Sequence, residues 1–80
     1  MEKQELINEI NLALAKEFEV DESVITPEAN IREALQLDSL SLVDLVALLE
    51  AHFKIKITGA EMTQLPTFQA LYDFVYDKVK

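Results

Sequence analysis

One reactive side chain in this sequence stands in a marked setting. It is Ser39, within Leu37-Asp38-Ser39-Leu40-Ser41-Leu42-Val43-Asp44-Leu45. A serine acts as a nucleophile only when a base lies within hydrogen-bond reach, about 3 Å. The sole histidine, His52, follows thirteen residues later. If both lie on one helix, a rise of about 1.5 Å per residue separates them by roughly 20 Å, which excludes a direct Ser-His pair. One histidine among scattered carboxylates does not make a metal centre, so His52 is expected at a surface or helix end. A single glycine, Gly59, excludes a glycine-rich phosphate loop. The absence of cysteine removes thiol catalysis, disulfides and Cys-based zinc sites. Nothing in the chain activates a nucleophile, so an enzyme is not expected. Two readings of Ser39 then stand open. Together with Asp38 it is a helix cap, or it is a residue that another enzyme modifies. A helix N-terminus suits an attached phosphate, because its unbonded N–H groups and dipole face that way.

The elements that would position Ser39 follow from apolar spacing. Leu6, Ile7, Ile10, Ala13, Leu14 and Phe18 recur at three- and four-residue steps, which predicts a helix over 3–18. A long connection over 19–38 carries turn and cap residues: Asp21, Ser23, Thr26-Pro27 and Asn30. Val20, Val24, Ile31, Leu35 and Leu37 are expected to pin it to the helices. Asn30 and Glu33 have capping-box spacing, so a helical turn is expected over 31–35. The second main helix is expected over 39–53. Leu42, Leu45, Val46, Leu49 and Phe53 form a core-facing band, while Leu40, Val43 and Ala47 lie on an adjoining face. That second apolar face means either a central helix packed on several sides or an exposed strip that partners grip. Lys54-Ile55-Lys56-Ile57 reads as an extended linker. Thr58 and Glu61 frame a capping box that opens a short helix over 59–64. Pro66 separates it from a last helix over 68–79, capped by Thr67 and buried through Phe68, Leu71, Tyr72 and Val75. The expected fold is all-α: a single domain over 1–80 with three longer helices, one short one and a long first loop.

Composition narrows the function. Eighty residues with a 50% hydrophobic content suit one small core. Fifteen acids against seven bases give a net charge of −8, which disfavours nucleic acid and anionic membranes. The charge is uneven. Residues 19–50 carry eight acids and one base, Arg32, so most of the net charge surrounds Ser39. This is a solvated acidic face or a docking face for basic partners. The first residues lack a signal-peptide pattern, and no apolar run approaches about 18 residues. A cytoplasmic protein with no membrane span is the expectation.

Asp38-Ser39-Leu40, the following Val43-Asp44-Leu45-Val46, Phe53, Ile57 and the Phe68-Gln69-Ala70-Leu71 helix together resemble the acyl carrier protein family. The resemblance covers essentially the whole chain. It implies that Ser39 carries 4′-phosphopantetheine through a phosphodiester, placed there from coenzyme A by a Mg²⁺-dependent phosphopantetheinyl transferase. The arm's thiol would hold acyl groups as thioesters. Asp38 matches the aspartate at the transferase interface, and Leu40, Val43, Asp44 and Ala47 match docking positions. Other implied partners are acyl-transferring, condensing or ligating enzymes of fatty-acid, polyketide-like or related biosynthesis, met by a monomer in transient complexes. Acyl cargo would insert between helices beside Leu42, Val46 and Leu49. The alternative is a small helical adaptor, or a degenerate carrier, that binds through the same helix without a prosthetic group. The chain departs from the family pattern at Gln36, where glycine is usual, and in carrying Ser41, Ala51 and His52 where further acids are common. The departures weigh against a housekeeping fatty-acid carrier, leave the implied carrier role intact and leave room for a dedicated carrier of a specialised acyl, polyketide-like or aminoacyl pathway.

Overall fold

The structure is a computed structural model and describes residues 2–79, leaving out the side chain of Ser39. Helix α1 spans Lys3–Phe18. Its Leu6, Ile10 and Leu14 are fully buried, one per turn, on the face that meets the last helix, α5 (Phe68–Val79). That helix answers with Phe68, Leu71, Tyr72 and Val75, all buried. The pair is also tied by polar contacts. Lys3 forms an ion pair with Asp73, and the Tyr72 hydroxyl donates to the Asn11 side-chain oxygen.

The long first connection is ordered by its caps. Asp21 accepts the Ser23 N–H at 2.9 Å and opens a 3₁₀ turn over Glu22–Val24. Here the structure corrects one expectation. Val24 is exposed, and Ile25 is the residue buried in the core. The turn closes through the Ile25 N–H on the Glu22 carbonyl at 3.0 Å. The side chain after the turn, rather than its last one, therefore faces inward. Asn30 then caps α2 (Ile31–Leu35) by accepting the Glu33 N–H at 3.0 Å. Ile31 and Leu35 are buried, so the expected helical turn is a short helix held on the core. Its start is sewn to the start of α5. The Ile31 N–H donates to the Pro66 carbonyl at 3.1 Å and the Phe68 N–H to the Ala29 carbonyl at 3.3 Å.

Helix α3 runs Ser39–Phe53 and sends Leu45 and Leu49, both fully buried, into the same core. The linker after it is extended, with Ile57 buried and its N–H held by the Glu50 carboxylate at 2.9 Å. Helix α4 (Gly59–Thr63) carries the expected capping box between Thr58 and Glu61 and ends one residue early, with Gln64 as its C-cap. Its Met62 is buried, and it packs beside α3. Among the described residues the regular elements are thus helical, with three long α-helices, two short ones and the 3₁₀ turn, beside one isolated bridge between Asn30 and Thr67. None of these helices is long and apolar enough to cross a membrane.

Candidate functional site

The chain reaches Ser39 through a tight reversal. Helix α2 ends at Gln36, which adopts φ 54° and ψ 48°. This left-handed conformation favours glycine, because a Cβ crowds the following carbonyl. The reversal is closed by the Leu37 N–H on the Arg32 carbonyl at 2.9 Å. It delivers Asp38 in extended conformation to the N-cap of α3. The Asp38 carboxylate accepts the Ser41 N–H at 2.8 Å. That bond holds its carboxyl below the usual carboxylate range. The question of which residue caps α3 is thereby answered: Asp38 caps, and Ser39 is the first helical residue.

The two faces of α3 part company. Leu45 and Leu49 are buried, while Leu40 and Val43 are 76% and 64% exposed. Ala47 and Asp44 are exposed as well. Of the two readings of the second apolar face, the exposed strip is the one observed. It begins directly beside Ser39 and runs down one side of the helix, with Asp44 next to it. Of the expected docking residues, Leu40, Val43, Asp44 and Ala47 therefore share the exposed side of α3, and Asp38, also exposed, caps its start.

Two clefts adjoin the start of α3. One, of about 170 Å³, lies between α3 and α4 and is lined by Leu42, Val43, Val46 and Gly59. Leu42 and Val46 line this cleft, and Leu49 is fully buried further along the helix. The other, of about 330 Å³, is lined by Arg32, Leu37, Asp38, Leu42 and Thr63. Neither Arg32 nor Thr63 was singled out from sequence as a site residue. The signal for Arg32 was present, as a lone base inside the acidic segment. For Thr63 there was none.

His52 is exposed and packs edge-on against Phe53. It lines a third, wider groove between α1 and α3 together with Leu12, Ala13, Lys16 and Leu48, away from the Asp38 end of the helix. No cluster of potential metal ligands occurs among the described residues.

Comparison with known proteins adds to this geometry. Residues 8–75 match a family model described as a phosphopantetheine attachment site. A protein of Rubrobacter xylanophilus named acyl carrier protein is 38% identical over 77 residues, covering 96% of this chain and 95% of that one. Proteins with the same name from Thermosynechococcus vestitus and Guillardia theta are 34% and 33% identical, each over 99% of this chain and 98% of the relative.

Proposed function

The chain belongs to the phosphopantetheine attachment-site family of acyl carriers, and from that premise we propose that Ser39 is its attachment residue. The protein is a carrier and not a catalyst. It holds acyl groups on covalently attached 4′-phosphopantetheine. The observation that carries the Ser39 assignment is its place as the first residue of a fifteen-residue helix, directly after a capping aspartate. The N–H groups of a first turn have no acceptor within their own helix, and the helix dipole stabilises negative charge there. A phosphodiester at this position is thereby favoured. When attached, the arm supplies the thiol that this cysteine-free chain lacks.

The residues around Ser39 divide the remaining work. Asp38 fixes the helix start, and its carboxylate is available to a transferase that approaches this end. Leu40, Val43 and Ala47 offer apolar contact to partner enzymes, and Asp44 offers a charge that basic partner surfaces recognise. The α3–α4 cleft, with Leu42 and Val46 in its wall, shelters the reactive end of the cargo from water. The partners are a phosphopantetheinyl transferase and acyl-transferring, condensing or ligating enzymes of fatty-acid, polyketide-like or related biosynthesis. The carrier meets them as a cytoplasmic monomer, one domain over 1–80.

Incubation with coenzyme A, Mg²⁺ and a broad-specificity transferase tests the assignment. The intact mass should rise by one phosphopantetheine, and Ser39→Ala should abolish the rise. No addition, under conditions that load a known carrier, contradicts the assignment and leaves a helix that binds partners without a prosthetic group.

A further inference from the structure

The cleft lined by Arg32, Leu37, Asp38, Leu42 and Thr63 brings one cation to the start of α3. Arg32 is the only base among residues 19–50, beside eight acids. Its side chain is exposed and forms no ion pair among the described residues. Its backbone is fixed, because its carbonyl accepts both the Gln36 and the Leu37 N–H groups that close the reversal before Asp38. The arginine is therefore mounted on the same turn that delivers Ser39.

We propose that Arg32 pairs with the phosphodiester of the Ser39-linked arm and lays the arm into this cleft between visits to partner enzymes. The proposal rests on the Ser39 assignment above and adds a resting position for the arm. The charge arithmetic motivates it. Attachment places a new negative charge next to the Asp38 carboxylate, and the bond from Ser41 keeps that carboxylate ionised. Two like charges side by side need a cation, and the cleft holds one. A guanidinium is always charged and presents a planar donor fork that matches phosphate oxygens. The other walls suit the rest of the arm. Leu37 and Leu42 offer apolar surface to its branched carbon. The Thr63 hydroxyl gives its proton to the Ala60 carbonyl at 2.8 Å, which leaves its oxygen to accept an amide N–H. The competing role for Arg32 is simpler: it only offsets the Asp38 charge and ignores the arm.

The test compares apo and holo protein by NMR, for the native chain and for Arg32→Gln, with intact mass confirming the arm in each holo sample. In the native chain, loading should shift the Arg32 side-chain N–H resonance. It should also produce nuclear Overhauser contacts between the arm's methyl groups and the Leu37 and Leu42 methyls. Both effects should weaken at high salt. Arg32→Gln should still accept the arm and keep the apo melting temperature, yet lose those contacts. Thr63→Val should retain the Arg32 shift and lose part of the contacts. A loaded chain in which the Arg32 resonance does not move, or in which the contacts survive Arg32→Gln, overturns this inference and leaves the Ser39 assignment standing. A chain that accepts no arm overturns both.

Discussion

Asp38 stands immediately before the proposed attachment residue and accepts the Ser41 N–H, so this carboxylate caps the helix on which that residue lies. Its carboxyl is held below the ordinary range by that bond. The Ser23 N–H does the same for Asp21, and the Thr58 N–H for Glu61. The Lys3 and Gln69 side chains do so for Asp73. A carboxyl with a depressed folded-state pKa contributes stability that is present above its unfolded value, about 4. That contribution is lost as pH falls through the lower folded value. Urea midpoints should accordingly hold steady from neutral pH to about 4 and decline progressively below it. A midpoint that rises on acidification below that point contradicts these bonds. Gln36 forms the reversal that leads to Asp38. Its left-handed backbone costs a residue with a Cβ about 1 kcal/mol or more. Gln36→Gly should therefore raise the melting temperature by roughly 5 °C in a domain of this size, despite glycine's greater unfolded-state entropy. An unchanged or lower melting temperature would show that the reversal is not strained.

Helix α3 carries core residues on one face and the proposed docking residues on the other. Leu49 is fully buried and Leu40 is 76% exposed, so the same substitution at the two positions should do different things. Leu49→Ala should cost about 2–5 kcal/mol, a large part of the stability of a small domain. Leu40→Ala should change stability by less than about 0.5 kcal/mol while slowing the loading rate with partner enzymes. Urea unfolding and a timed loading assay separate the two effects, and equal destabilisation at both sites would contradict the division of faces. The sequence made part of this legible. Regular spacing located the three long helices, and the threonine and asparagine caps located the two short ones. The excess of apolar residues on α3 was visible too. What covers an apolar face depends on where the other elements pack, which spacing along one helix does not encode. Only the structure left Leu40 and Val43 bare. The same limit applies to Val24 and Ile25, which share a segment without periodicity. The 3₁₀ turn over Glu22–Val24 leaves Val24 outside and is followed by the buried Ile25.

Across the whole molecule, most of the net charge belongs to the segment that contains Ser39. The segment from residue 19 to 50 holds eight of the fifteen acids and one of the seven bases. Such a surface raises encounter rates with basic partners, and it does so less as salt screens it. Asp44→Lys should slow loading at low salt, should lose that deficit at high salt, and should leave the melting temperature almost unchanged. Equal loading rates at low salt would remove Asp44 from the docking surface. The Arg32 cleft was hidden from sequence for a related reason. A lone base in an acidic run is visible, but its placement beside Thr63, thirty-one residues away, exists only once α2 and α4 are folded against α3.

Of the three serines, Ser23, Ser39 and Ser41, only Ser39 is proposed to bear the arm. Fragmentation mass spectrometry of the enzymatically loaded chain reads this directly. A phosphopantetheine mass is expected on Ser39 alone, with loading retained in Ser41→Ala. A modified Ser41 or Ser23, or a loaded Ser39→Ala chain, would contradict it.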